Sequence, residues 1–135
     1  MLELRAVQGV DVHVAYFDPL TATTLRDDRG AAKVIVTTNT FNHIGDLHYF
    51  MAGVVDLLDE DGTFVVEVPW AKELLARNEF DTVYQEHVSE FSLLSMVRLG
   101  DVFGLDVIDV QKLPIHGGSM RVFFRRKAKV TATPT

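Results

Sequence analysis

The densest chemistry in this chain lies in Phe80-Asp81-Thr82-Val83-Tyr84-Gln85-Glu86-His87-Val88-Ser89-Glu90-Phe91-Ser92. Tyr84, Glu86 and His87 bring a phenol, a carboxylate and an imidazole close together, flanked by short hydroxyl residues. Imidazole is the side chain whose ordinary pKa lies near neutrality, so it can take up and return a proton at little cost. A carboxylate can orient that ring, and a phenol can hydrogen-bond an oxygen that gains negative charge in a transition state. In a helix Tyr84 and His87 would share a face at i,i+3, with Glu86 pointing elsewhere; in a loop no such geometry follows. A Tyr-x-Glu-His run is also an ordinary solvated helix start, and its surroundings decide between the two.

Those surroundings read as alternating strands and helices. Residues 1–10 resemble the end of a helix stopped by Gly9, and residues 10–17 alternate with period two as a strand ending at Asp18-Pro19. A weak helix over 20–28 closes at Arg29-Gly30. Residues 33–38, Lys-Val-Ile-Val-Thr-Thr, form a β-branched run of the kind buried on both faces of a parallel sheet. The polar Asn39-Thr40-Phe41-Asn42-His43 follows directly. Asp46 is a good N-cap for a helix over 46–59, whose apolar side carries Leu47, Phe50, Met51, Val54, Leu57 and Leu58 and which Gly62 stops. Residues 63–69 read as a buried strand that includes Glu67, a carboxylate that needs a partner if it is in the core. Ser92 caps a helix over 93–103 closed by Gly104, and strands follow at 105–110 and 120–125. Between them, Pro114-Ile115-His116-Gly117-Gly118-Ser119 makes a turn. Met51, Met96 and Met120 are core filling, His13 belongs to a strand's alternation and His48 to the polar side of a helix, and Trp70 either stacks on a ligand or covers the sheet edge.

This alternation predicts an α/β fold with a parallel sheet and one antiparallel strand at the close. In open parallel sheets ligands bind beyond the carboxyl ends of the strands. Phe17-Asp18, the 39–43 segment and residues 67–70 all fall there, immediately before the Tyr84/Glu86/His87 stretch.

The bulk composition narrows the classes. With 135 residues, 47% hydrophobic and 24% charged, the chain suits one globular domain. No apolar run approaches the roughly 20 residues of a membrane span, and no secretory leader pattern opens the chain, so a cytoplasmic protein without a membrane partner is expected. Cysteine is absent, which removes disulfides and thiolate metal sites; no metal is expected. A net charge of −6 argues against nucleic-acid binding. The basic run Arg121, Arg125, Arg126, Lys127 and Lys129 reads as a solvated final strand or, more sharply, as a contact to substrate phosphate.

Four segments in order carry a family likeness: Thr38-Asn39-Thr40-Phe41-Asn42-His43-Ile44, Phe64-Val65-Val66-Glu67-Val68-Pro69, Phe80-Asp81-Thr82-Val83-Tyr84-Gln85-Glu86-His87, and Leu113-Pro114-Ile115-His116-Gly117-Gly118-Ser119-Met120-Arg121. Together they resemble the S-adenosylmethionine-dependent C-methyltransferases that act on nucleotide-linked keto-deoxysugars in antibiotic biosynthesis. The resemblance implies a class I methyltransferase, Rossmann-like mixed sheet with an antiparallel last strand. It implies a methyltransferase core over residues 1–130, followed by a flexible tail at 131–135. It implies S-adenosylmethionine as cofactor, and a base that removes the proton next to the sugar ketone. Carried over by position, His87 is that base, Glu86 orients a base or binds sugar hydroxyls, and Tyr84 and His43 hold the keto-sugar or its enolate. Asn39 and Phe41 lie near the cofactor, with Phe17 and Asp18 beside its adenine. Asn42, Glu67, His116 and Arg121 fall to the substrate, a structural turn being the alternative for residues 116–121.

The departures are as informative. The family's chains are much longer, with an N-terminal cysteine-rich zinc module, a glycine-rich cofactor loop and a C-terminal domain. No Gly-x-Gly occurs here. By analogy the first two strands of the sheet are missing, which would leave a gap between residues 10–17 and 33–38. The open edge then expects closure of the two segments, a homodimer, or a partner that supplies the missing N-terminal half. An inactive remnant or interaction module of the same fold is the rival to an enzyme. A flavodoxin-like binder ranks last, for want of an early phosphate loop.

Overall fold

Residues 9–128 are described by a computed structural model of the chain, and helices and strands alternate through them. The first helix, α1 (Pro19–Arg29), starts where Asp18 accepts a 2.7 Å hydrogen bond from Thr21 N and Pro19 presets the first turn. It ends at Gly30, whose φ of +83° few other residues tolerate. Strand β1 (Ala32–Thr38) leads into a 3-10 turn at Phe41–His43 and then α2 (Leu47–Leu57), capped by Asp46 through Tyr49 N at 2.9 Å. β2 (Leu58–Pro69) begins at the residue after α2 ends. A short α3 (Ala71–Arg77) and a 3-10 turn at Phe80–Thr82 precede α4 (Leu93–Val102), and β3 (Leu105–Leu113) and β4 (Ser119–Arg126) close the fold. At α4, Ser92 and Ser95 exchange side-chain to backbone bonds of 3.0 and 3.1 Å, a reciprocal cap.

The strands form one sheet in the order β1-β2-β4-β3. β1 and β2 run parallel, and β4 is antiparallel to both β2 and β3, so the last strand is the inserted antiparallel one. The core lies where Phe64, Val66 and Val68 of β2 and Met120, Val122 and Phe124 of β4 meet Met51 and Val54 of α2 and Met96 of α4. Phe41 joins it completely buried, its ring 5.3 Å from Phe91, 5.7 Å from Phe50 and 6.2 Å from Phe64. Two glycines permit close approach. A Cβ on Gly53 would stand 3.0 Å from the Asp18 carbonyl carbon, and one on Gly100 would stand 2.9 Å from the Leu105 carbonyl oxygen.

Several sequence expectations change. Residues 10–17 are not a strand: they run as coil, with Val10, Val12, Val14 and Tyr16 exposed. A period-two pattern becomes a strand only when a neighbouring backbone takes up its N–H and C=O groups, and no described strand lies beside this segment. The anticipated gap therefore has no counterpart, and the sheet ends at β1. β1 is correspondingly not covered on both faces; as an edge strand it leaves Val34 and Val36 60% and 59% exposed. Gly62 does not stop α2 but sits buried inside β2, where an added Cβ would meet the Ala32 carbonyl oxygen at 2.9 Å. Helix α3 was not anticipated. The helix expected at 1–10 and the tail at 131–135 lie essentially outside the described residues.

The 116–119 turn has a structural role. His116, Gly117 and Gly118 all take positive φ, at +48°, +72° and +130°. A Cβ on Gly118 would stand 2.6 Å from Glu73 Cγ and 2.8 Å from Glu73 Cβ, and the Gly118 carbonyl accepts from Trp70 N at 3.0 Å. The bare glycine is what lets α3 dock, with Glu73 paired to Lys112 at 2.6 Å and to Arg77 at 3.4 Å. Gly118→Ala is expected to cost about 2–3 kcal/mol, from backbone strain together with displacement of α3. Urea unfolding of the two proteins checks this; a loss under about 0.5 kcal/mol would mean the turn is loosely held.

Candidate active site

Beyond the carboxyl ends of β1 and β2 lies a cavity of about 290 Å³. Four stretches far apart in sequence build it. Asn39, Asn42 and His43 come from the turn after β1, Pro69 from the end of β2, and Asp81, Thr82, Tyr84 and His87 from the loop after α3. His116 reaches it from the β3–β4 turn. Asn39 breaks the direction of β1 with a φ of +50°, which asparagine tolerates better than most residues, and its N–H donates to the Glu67 carbonyl at 2.9 Å. The loop is fastened at both ends. Ala71 N donates to the Phe91 carbonyl at 2.9 Å, Ser89 N to the Asn42 carbonyl at 3.3 Å, and Trp70 and Phe91 form an isolated parallel bridge.

Within the cavity wall two rings gather on His87. Tyr84 lies 4.1 Å from it between centroids in a tilted stack, and His43 meets it edge-on at 4.8 Å. The contact with Tyr84 comes from a turn rather than a helix, since His87 N donates to the Tyr84 carbonyl at 2.9 Å in non-helical chain. His87 is 9% exposed in its side chain, and its Nδ1 faces Glu90 Oε1 at 3.6 Å, an ion-pair distance rather than a hydrogen bond. Burial pushes the Glu90 carboxyl above its usual range, an effect that the imidazole beside it partly offsets. Among the described residues three buried side-chain atoms at this site have no hydrogen-bond partner: Asn42 Oδ1, His87 Nδ1 and Glu90 Oε1. Buried polar atoms left unpaired are costly, and a ligand-binding site is one of the places where such atoms persist.

A second cavity of about 530 Å³ adjoins the first through His43, which lines both. Its other walls include Phe17, Asp18, Thr40, Tyr49 and Phe50. Phe17 is held there by Phe50, with ring centroids 5.1 Å apart, and by the close approach of Gly53 to the Asp18 backbone.

The residues expected at a site thus divide. Asn39, Asn42, His43, Tyr84, His87 and His116 share the first cavity, and Phe17 and Asp18 line the second. Glu86 is exposed and outside both linings, and Phe41 is spent on the core. Glu67 and Arg121 stand opposite each other on β2 and β4, and two Arg121 nitrogens reach one Glu67 oxygen at 2.7 and 3.0 Å. The rest of the basic run is similarly engaged within the fold. Arg125 bonds Thr63, Arg126 bonds the Val55 and Leu58 carbonyls, and Lys127 pairs with Asp101 at 2.7 Å; Lys129 lies outside the described residues. Trp70 lies outside both cavities, with Lys72 over its ring. Asp81, Thr82 and Glu90 were within the stretch singled out from the sequence but had no signal beyond their neighbours. Among the described residues no helix is long and apolar enough to cross a membrane.

Comparisons with known proteins agree with this architecture. Residues 2–110 match the family model described as a methyltransferase domain. Over 116 residues, 86% of the chain, the sequence is 41% identical to the C-methyltransferase NovU of Streptomyces niveus, of whose length it spans 28%. Among solved structures, it resembles an S-adenosylmethionine-dependent methyltransferase from Anabaena variabilis with a TM-score of 0.59 at 13% identity, covering 84% of this chain and 57% of that one. It also resembles the 1,6-didemethyltoxoflavin-N1-methyltransferase of Burkholderia thailandensis, with a TM-score of 0.55 at 14% identity over 71% of this chain and 44% of that one. At these identities the structural likenesses speak for the fold, that of class I methyltransferases.

Proposed function

The chain belongs to the methyltransferase domain family, and from that premise we propose that it is the catalytic part of an S-adenosylmethionine-dependent C-methyltransferase acting next to the ketone of a nucleotide-linked keto-deoxysugar. The observation that carries this reading is the gathering of Tyr84, His43 and His87 around one cavity that also holds the unpartnered Asn42 Oδ1. Carbon becomes nucleophilic only after a proton leaves the position beside a carbonyl. That step needs a base of near-neutral pKa and donors for the oxygen that turns anionic. His87 takes the proton, and Tyr84 and His43 hold the enolate oxygen. Asn42 and His116 meet the sugar, and Glu86, one residue from the base, contacts hydroxyls outside the cavity wall. Glu67 and Arg121 serve the substrate indirectly, by fixing the end of β2 from which Pro69 reaches the cavity.

The adjoining cavity fits the methyl donor by the chemistry of its lining. Phe17, Tyr49 and Phe50 offer aromatic faces to an adenine, and Asp18 offers a carboxylate. Asn39, which lines the first cavity just after β1, is assigned to the donor as well. S-adenosylmethionine supplies, when bound, an electrophilic methyl group for the carbon that His87 has activated.

Calorimetric titration of the chain with S-adenosylhomocysteine tests the donor side, and transfer of a labelled methyl group to a nucleotide-linked keto-deoxysugar tests the whole reading. Micromolar binding, roughly −8 kcal/mol, and a methylated sugar are expected; a chain that binds the donor product but leaves every keto-sugar unmethylated would overturn it. A second reading, an inactive module that completes its sheet against a second copy or an N-terminal half, is favoured by the exposed Val34 and Val36 on the unpaired β1 edge. Absence of both donor binding and transfer would favour it.

A further inference from the structure

Glu90 has no role in the reading above, yet among the described residues it is the one acidic side chain within ion-pair distance of the proposed base. We infer that Glu90 is the positioning residue of His87: its carboxylate faces Nδ1 as the acceptor for an Nδ1–H that stays on the ring, and so leaves Nε2 as the basic nitrogen turned to the cavity. The inference rests on His87 being the base, and it takes over the orienting role that the sequence suggested for Glu86.

The geometry is specific. His87 Nδ1 and Glu90 Oε1 are both buried, 3.6 Å apart, and neither has another partner among the described residues. Each would be an expensive orphan alone, so the two atoms are matched to one another and to nothing else. A neutral imidazole carries one N–H, and the tautomer is set by whichever nitrogen finds an acceptor. Glu90 offers that acceptor from outside the cavity lining: Nδ1 is sealed from solvent while the ring still lines the cavity. When Nε2 takes the substrate's carbon-bound proton, the ring becomes an imidazolium and the carboxylate stabilises it. Glu90 itself takes no proton. At 3.6 Å the contact is at ion-pair distance, and catalytic contacts of this kind often tighten when substrate is bound. Glu90 keeps its place because Phe91, next in sequence, is buried in the core and bridged to Trp70.

The other ionisable groups around His87 are His43 and Tyr84, whose rings touch it, and Asp81 and His116, which line the same cavity. None of them is paired with Nδ1. Histidine-labelled NMR of the 135-residue chain therefore isolates the pair. In the parent protein His87 should be the Nδ1–H tautomer, and in Glu90→Gln that tautomer preference should be lost. The imidazole lowers the Glu90 carboxyl, so His87→Gln should raise its pKa. An Nε2–H tautomer in the parent, or a Glu90 titration unmoved by His87→Gln, would overturn the inference. If Glu90→Gln fails to fold, the His87→Gln titration of Glu90 decides alone. Both readouts are independent of methyl transfer: failure of transfer with both as expected counts against the proposed function and not against the pair.

Discussion

His87→Asn is expected to lower the rate of exchange of the proton next to the ketone of the proposed sugar substrate by about two to four orders of magnitude, the usual contribution of a positioned general base. The readout is loss of that proton's signal when a nucleotide-linked keto-deoxysugar is incubated with the protein in heavy water. Proton removal precedes any use of the methyl donor, so exchange can be followed without it. Asparagine keeps a polar side chain of similar reach but has no basic nitrogen at neutral pH. Donor binding should be nearly unchanged, because the Phe17 cavity touches His43 and not His87. An asparagine variant that exchanges at the parent rate would remove His87 from the chemistry. Tyr84→Phe is a useful companion, since it deletes the hydroxyl and keeps the ring that stacks at 4.1 Å on the imidazole.

The largest effect on stability should come from Arg121→Ala. Glu67 is 7% exposed in its side chain, and Arg121 supplies both of the short N–H contacts to its Oε2. Taking away the guanidinium leaves a carboxylate in the sheet with its charge unanswered, at a cost of about 3 kcal/mol or more. Arg121 is 38% exposed, so water can enter after its removal, which holds the figure at the lower end of the range for buried pairs. Replacing both, as Glu67→Leu with Arg121→Leu, should recover most of the loss, because apolar side chains of similar volume need no partner. Urea unfolding of Glu67→Leu, Arg121→Leu and the double variant gives the coupling directly. If Arg121→Ala were within about 0.5 kcal/mol of the parent, the pair would be a surface contact and Glu67 would be satisfied elsewhere.

What could be read from the sequence followed the range of the interaction. Asp46 and Ser92 announced their helices because a cap is settled within three residues, and the structure has both caps. The parallel direction of the sheet and one antiparallel strand at its close were legible from the alternation of β-branched runs with helices, whereas the insertion of β4 between β2 and β3 was not. Residues 10–17 show the limit: their alternation is as good as that of any strand here, but pairing depends on a neighbour that no local pattern reports. The same holds for Val34 and Val36, whose apolar character suggested burial that an edge position does not provide. Helix α3 escaped notice because it is short, leaves Leu75 exposed, and is held by the docking of Glu73 on Gly118. For Glu67 the need for a partner was evident from its place in an apolar run, and its partner, 54 residues away, was not. At the site, residue types were enough to single out Tyr84 and His87. The choice between Glu86 and Glu90 depended on a loop path that neither helical nor strand periodicity describes.

The direct passage from α2 into β2 limits how the chain can vary in length. Leu57 ends the helix and Leu58 begins the strand, with no connecting residue to absorb an insertion. Because strand side chains alternate between faces, one residue added there would turn all of β2 over unless the register with β1 and β4 slipped to compensate. Phe64, Val66 and Val68 would leave the core, and Glu67 would be carried away from Arg121. Single-residue insertions should therefore be tolerated in the exposed coil before α1 and excluded at Leu57–Leu58.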